Sequence, residues 1–270
     1  MTRTIRATVA YDGTEFAGWQ IQDRQRTVQG VFEQALARMH GGRVPVRAAG
    51  RTDAGVHALG QVVSFRTGIE SLTPEVLPRA LNSYLPDDVR VVDAREEEDG
   101  FDARRSARLR VYRYQLLPGR QLPHLRRYTL WVRRPLRLEA LNRMASAVVG
   151  EHDFTTFAAA GASGSSLRRV VQASFFADGP LIVFRIAAQS FLWKMVRSLV
   201  GTMLALEAEC REDNAASRAR VAELLAAPRR ERVGQTAPAW GLFLERVYYA
   251  GDPPLAGALP YDRERGPADE

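Results

Sequence analysis

The chain has 270 residues, 46% hydrophobic and 26% charged, enough for one large or two ordinary domains whose core needs no metal or disulfide staple. Its 38 Lys+Arg against 31 Asp+Glu leave a formal charge of +7, a balance that favours a polyanionic partner. The single cysteine, Cys210, excludes an intrachain disulfide and a cysteine-rich zinc site, and no apolar run reaches the ~18 residues of a membrane span.

His40, His57, His124 and His152 are scattered without metal-ligand spacing, and Met1 is not followed by a signal-peptide apolar stretch. A soluble cytoplasmic protein is expected. Lys194 is the only lysine among the basic residues; all the others are arginine. A GC-rich genome produces that bias by itself, so the placement of the arginines is more informative than their choice.

In chain order, IRATVA at 5–10 reads as a strand that enters the loop YDGTEFAGWQ. Residues 27–39 carry apolar positions at Val28, Val31, Phe32, Ala35, Leu36 and Met39, a helical spacing with Thr27 as N-cap. Segments 44–49 and 61–65 look extended, with GRTDAGVHALG between them. A helix is expected over 71–82, opened by S-x-T-P-E, and a strand over 89–94. The order β-α-β-β-α-β then recurs. It comprises a strand at 108–117, an amphipathic helix at 136–150 closed by Gly150, and a hairpin turning at Asp178-Gly179-Pro180. Helices at 190–206 and 218–227 and a last strand at 241–249 complete it.

This pattern predicts an α+β protein built of two ferredoxin-like βαββαβ halves with mixed, mostly antiparallel sheets and a central cleft. The expected division is an N-terminal domain over 1–104 carrying the aspartate loop, a C-terminal domain over 105–250, and a flexible tail over 251–270, where prolines and glycines gather.

Eleven arginines lie between Ala103 and Leu138, a stretch without Asp or Glu that also holds Tyr112, Tyr114, Tyr128 and Trp131. An unbalanced field of that size repels itself unless an anion relieves it. It reads as a track for a phosphate backbone, with aromatics to receive unstacked bases. Arg126, Arg127, Arg133 and Arg134 are its candidate backbone contacts. Arg168, beside the loop GASGSS at 161–166, and Lys194 join them as candidates.

The densest run of small residues is Gly50-Arg51-Thr52-Asp53-Ala54-Gly55-Val56-His57. A loop aspartate commonly caps its own turn. A carboxylate drawn into a closed pocket for chemistry needs a cation near it, and Arg51 is adjacent. GRTDAGVHALGQVVSF resembles the signature of the tRNA pseudouridine synthase A family. YDGTEFAGWQ, FDARRSARLRVYRY, GEHDFTTF, QSFLWKMVRSLVGTM and GLFLERVYY resemble its other blocks, in the right order, over roughly residues 5 to 249.

The resemblance implies a pseudouridine synthase catalytic core and a cofactor-independent, metal-free isomerase. Its implied substrate is uridine at positions 38–40 in the anticodon arm of tRNA, and its implied assembly a homodimer. Asp53 falls on the family's catalytic aspartate and Arg51 on an arginine that handles the flipped nucleotide. Tyr112 matches the tyrosine that packs against the target base, Arg197 the arginine that pairs with the catalytic aspartate, and Leu244 an apolar pocket residue. His57 reads as structural, with no orienting partner visible in the sequence. Where the family commonly has a Pro-Pro-x-Gly-like approach before G-L-F-L, this chain has A-P-A-W-G, and Trp240 alters the pocket rim.

Two other classes fit the sequence less well. A non-catalytic tRNA-binding or RNA-folding module on the same fold would have no reason to retain Asp53, Tyr112 and Arg197 together. A glycoside- or nucleoside-cleaving hydrolase would call for two carboxylates in defined roles.

Overall fold

A computed structural model describes residues 2–159, 161, 164–209, 214–227 and 234–256. The chain forms two compact units, Met1–Arg108 with Phe243–Gly251, and Leu109–Leu242 with the segment that begins at Asp252.

The first unit opens with β1 (Arg3–Tyr11), α1 (Val28–His40), β2 (Arg47–Ala48), β3 (His57–Thr67), α2 (Leu77–Asn82) and β4 (Val89–Glu97). β1 lies between β3 and β4 and is antiparallel to both. Ile5, Ala7 and Val9 recur at the two-residue period of a strand, and all three are fully buried. The Thr27 hydroxyl accepts the Gly30 N–H at 3.3 Å, and Gly41 ends α1 in the left-handed region at φ +70. Phe32 of α1 sets its ring edge-on to Phe65 of β3, 6.3 Å between centroids.

Two elements are shorter than their sequence suggests. The helix expected from Ser71 begins only at Leu77. Residues 73–77 form a turn closed by Val76 N–H and Leu77 N–H on the Thr73 carbonyl, and Pro78, which lacks an N–H, occupies the first turn. Of the extended segment 44–49, only Arg47–Ala48 pairs with β3. Val44 and Val46 are buried without joining the ladder, and Val46 N–H goes to Glu33 Oε1 at 3.3 Å.

The second unit contains β5 (Leu109–Pro118), β6 (Leu130–Val132), α3 (Leu138–Ala147), β7 (Gly150–Asp153), β8 (Leu167–Asp178), β9 (Leu181–Ala188), α4 (Met195–Glu209) and α5 (Asn214–Ala226). β5, β9, β8 and β7 neighbour one another antiparallel in that order, with β6 parallel on β5. Asp178 faces Leu181 across a two-residue loop. Gly179 supplies the positive φ, +57, and Pro180 the fixed one, so the hairpin turns where expected.

Gly150 does not close α3: Val148 is the C-cap, and Gly150 starts β7 at φ +117. α4 begins at Met195 rather than Ser190, because Lys194 just before it turns left-handed at φ +62. The loop 161–166 is described only in part, since Ala162 and Ser163 lie outside the described residues, as do Cys210 and the expected tail from residue 257 on.

β10 (Leu242–Tyr248) returns to the first unit and runs parallel to β3, with Phe243 opposite His57 and Leu244 opposite Ala58. Gly60 permits this approach, because a Cβ there would sit 2.6 Å from the Glu245 carbonyl oxygen. The Tyr249 hydroxyl donates to the Ala103 carbonyl at 2.7 Å, and the Arg6 guanidinium lies 4.0 Å from the Tyr249 ring centre. The α+β class with mixed, mostly antiparallel strands holds for both units.

Candidate active site

In the first unit the turn Gly50–Val56 joins β2 to β3 and carries Asp53 half-buried, with Arg51 exposed. The atoms around the carboxylate are tied down. Val56 N–H closes the turn on the Asp53 carbonyl at 3.1 Å. Trp19 N–H reaches the Thr52 carbonyl at 3.0 Å, and Gly55 N–H the Phe16 carbonyl at 3.3 Å. The Tyr11 and Thr52 hydroxyls meet at 2.7 Å, and the Gln61 amide donates to the Gly50 carbonyl at 2.7 Å.

Two glycines of YDGTEFAGW make this packing possible. A Cβ on Gly13 would lie 2.0 Å from the Val56 carbonyl oxygen, and one on Gly18, at φ +97, 2.7 Å from that of Thr52. The loop after β1 and the Asp53 turn are therefore in backbone-to-backbone contact.

His57 follows the turn, and the structure supplies the orienting partners that its sequence context did not show. The ring is 1% exposed. Nδ1 lies 3.0 Å from the Gly13 nitrogen and 3.1 Å from Asp12 Oδ1. The ring stacks on Phe243 at 4.6 Å and 23°. Leu244, the next residue, is fully buried beside Ala58.

In the second unit Tyr112 stands on β5 opposite Ile186, nearly buried, with Phe191 edge-on to its ring at 5.0 Å. Arg197 lies in the first turn of α4. Its Nε donates to the Ala237 carbonyl at 2.7 Å, and the Ala237 N–H returns to the Arg197 carbonyl at 3.1 Å. Tyr114, two residues on, turns inward rather than offering its ring to a base. It is fully buried, and its hydroxyl donates to the Pro238 carbonyl at 2.9 Å. Burial pushes its phenol up, against the opposing positive charge of Arg197. The two-residue period placing it on the Tyr112 face of β5 was the available signal for that burial. Gly241 leaves room for this ring, since a Cβ there would approach it to 2.7 Å.

The basic stretch divides on inspection. Arg126, Arg127 and Arg133 are exposed, and the Arg133 guanidinium lies 4.9 Å from the Trp131 ring centre. Arg134 turns inward to Glu207 and donates to the Leu204 carbonyl at 3.0 Å, while Arg137 Nε reaches Glu207 at 3.0 Å. Arg113 pairs with Asp178 at 3.0 Å. The acids absent from Ala103–Leu138 are thus partly supplied by β8 and α4. Arg168 donates to the carbonyls of Ser165 and Leu167 at 2.7 and 2.6 Å. Lys194 is half-buried, its Nζ 4.9 Å from the Trp193 ring centre. Trp240 is 45% exposed and donates its indole N–H to the Thr129 carbonyl. Among the described residues no three His, Cys, Asp or Glu side chains cluster as a metal site, and no helix is long and apolar enough to cross a membrane.

An aspartate carried on a braced turn with an exposed arginine two residues before it, in a basic chain, defines an α+β protein with a candidate site on that turn. Comparison with known proteins narrows this class. The family model described as tRNA pseudouridine synthase matches residues 7–104 and 144–250. A tRNA pseudouridine synthase A of Geobacillus kaustophilus is 45% identical over 92% of this chain and 95% of its own length. Those of Treponema denticola and Halalkalibacterium halodurans are 42% and 44% identical, covering 93% and 90% of this chain and 94% and 92% of theirs. The chain belongs to the tRNA pseudouridine synthase family, whose members are isomerases.

Proposed function

We propose that this chain isomerises uridine to pseudouridine at positions 38–40 in the anticodon arm of tRNA, with Asp53 as the catalytic carboxylate. The observation that carries this is the Asp53 turn. A half-buried carboxylate is presented on backbone whose neighbours are fixed by hydrogen bonds and by glycine-enabled contact. Such fixing keeps a reacting group where it must be, and a displacement near 1 Å costs about 10²-fold in rate.

The reaction breaks the N1–C1′ bond of uridine and joins C5 to C1′. The C5 proton leaves and N1 gains one, so no electrons are exchanged with any outside group. Three routes are open to one carboxylate: attack on C1′, addition to C6 of the base, or removal of a sugar proton to give a glycal. Arg51, Tyr112, Arg197 and Leu244 are proposed as substrate-binding residues. Tyr112 would supply the aromatic ring against which a base taken out of its stack packs. Arg126, Arg127 and Arg133, with Arg168 and Lys194, supply backbone contacts. Arg134 contributes mainly by holding Glu207. The working form is proposed to be a cytoplasmic homodimer without cofactor or metal.

Tritium release from tRNA labelled at C5 of uridine tests this, with wild type beside Asp53→Asn. Release by wild type and none by the variant, with tRNA affinity kept within about tenfold, is expected. A variant that still turns over removes Asp53 from the chemistry. Tight tRNA binding without release by wild type moves the chain to the non-catalytic RNA-binding reading.

A further inference from the structure

The segment Ser190–Lys194, between β9 and α4, sets Trp193, which has no role above, beside Lys194, already proposed as a backbone contact. Trp193 is 52% exposed, although Leu192 before it and Met195 after it are buried. Its backbone is held, because the Ala159 N–H donates to the Trp193 carbonyl at 2.9 Å and the Met195 N–H to that of Leu192 at 3.0 Å. The next residue, Lys194, has φ +62. A lysine in the left-handed region is uncommon, since its Cβ crowds the backbone there and glycine would not. Strain of this kind persists where the surroundings over-determine it, and it gathers at functional sites. Here the left-handed turn leaves the Lys194 ammonium 4.9 Å from the Trp193 ring centre.

We infer that Trp193 and Lys194 form a nucleobase platform: the indole stacks on an unpaired base of the substrate RNA while the ammonium takes the adjoining phosphate. Three features fit that occupant. A large ring fixed at the surface loses little freedom on stacking. Each base offers it a π-face, so stacking needs no particular sequence. The cation lies over one face of the ring, leaving the opposite face for the base, and it matches the charge that every nucleotide brings with its base. The platform also adjoins proposed substrate contacts in the same unit: Phe191, two residues before Trp193, packs on Tyr112, and Arg197 follows four residues after it. The inference rests on the RNA-modifying reading and adds a specificity element to it, a preference for RNA with an unpaired base at the bound site.

Trp193→Ala, Trp193→Phe and Lys194→Gly test the platform, each compared with wild type for binding to a tRNA anticodon stem-loop and to a fully paired RNA duplex. Thermal midpoint and sedimentation are read on the same samples. Trp193→Ala should weaken stem-loop binding about tenfold or more, the scale of a lost base–aromatic stack. It should leave duplex binding within twofold, and Trp193→Phe should retain most of the affinity. Lys194→Gly should keep or raise the midpoint while binding the stem-loop less tightly, since glycine relieves the backbone and removes the charge. Equal stem-loop affinity for Trp193→Ala and wild type overturns the platform. So does an equal loss on stem-loop and duplex, or a change of oligomeric state in Trp193→Ala, which marks the ring as a protein contact. If wild type binds neither RNA, the functional reading itself fails, and this is distinct from failure of the platform.

Discussion

The Asp53 turn in the first unit and the α4 helix in the second are both held in place, but by different means. The turn is secured by neutral contacts: backbone N–H to carbonyl bonds, two hydroxyls, a glutamine amide, and glycines that let two backbones touch. α4 buries Met195, Leu199, Val200 and Met203 completely and adds an ion cluster. Glu207, its side chain 2% exposed, receives Arg134 and Arg137, and Arg197 donates to the Ala237 carbonyl. Gly201 repeats the device of the first unit, since a Cβ there would lie 1.8 Å from the Gln235 carbonyl oxygen, and Gly234 does so more loosely at 2.9 Å from the Gly201 carbonyl oxygen. Neutral packing is indifferent to pH and salt, whereas an ion cluster is not. The placement of the proposed catalytic group is thereby separated from the placement of the helix that carries Arg197.

The largest effects should come where backbone meets backbone. Gly13→Ala and Gly201→Ala each force a methyl into a carbonyl group that cannot swing aside as a side chain would. Each should cost about 3 kcal/mol of stability, the upper range for overpacking. They should then part in function. At a temperature where both variants remain folded, Gly13→Ala should lower turnover at least about a hundredfold by moving the Asp53 turn, while tRNA binding holds. Gly201→Ala should weaken binding, because α4 moves with Arg197. Chemical denaturation and single-turnover tritium release on the same preparations check this. Wild-type turnover in Gly13→Ala would show that the turn is not the rigid carrier described above.

Such contacts also mark where reading the sequence stops. β1, α1 with its Thr27 cap and the β8–β9 hairpin were legible because each is written in consecutive residues: a two-residue alternation, a capped 3.6-residue repeat, a Gly-Pro turn. The starts of α2 and α4 were not. One depends on which of two prolines takes the first turn, the other on a lysine in a conformation its side chain disfavours. For the candidate site, the run from Gly50 to His57 was conspicuous, yet its support comes from residues 11–19 and from Phe243, distant along the chain. The partners of His57 were invisible for that reason. Glu207 escaped notice likewise: an acid near the end of an apolar helix gives no local sign that it neutralises arginines seventy residues earlier.

Glu207→Gln is the intermediate case and sharpens the contrast in pH. Burial pushes this carboxyl up, but the Arg134 and Arg137 guanidiniums outweigh it and hold it below the usual glutamate range. A folded value below the unfolded one, near 4.5, means the ion cluster stabilises the protein above that pH. The stabilisation fades as pH falls through the folded value. At pH 7 the glutamine variant should be less stable by about 2 kcal/mol, under the usual cost of breaking a buried pair because both arginines reach water. The gap between wild type and variant should close in acid. Denaturation curves at pH 7, 5 and 4 read this directly, and a gap constant over that range would mean the cluster acts through packing alone. Turnover per folded molecule should stay within about twofold, since the Asp53 turn lies in the other unit.

The smallest effect on stability should come from the exposed arginines, and here two sets of arginines within the second unit can be told apart by salt. Arg126, Arg127 and Arg133 are exposed, whereas Arg134 is engaged with Glu207. Replacing the first three by glutamine should change stability by less than about 0.5 kcal/mol, as for ordinary surface positions. If each neutralises one phosphate, the slope of log affinity for tRNA against log salt should flatten by about 2, at roughly 0.7 per contact. Titrations from low to moderate salt measure that slope. Arg134→Gln alone should do the reverse, costing stability through Glu207 while leaving the slope nearly unchanged. An unaltered slope in the triple variant would place the phosphate track elsewhere on the protein. A slope that flattens with Arg134→Gln would show that Arg134 contacts the substrate despite its bond to Glu207. Charge that holds α4 and charge proposed to hold RNA are therefore separable by one experiment, because the second would compete with dissolved ions for its partner.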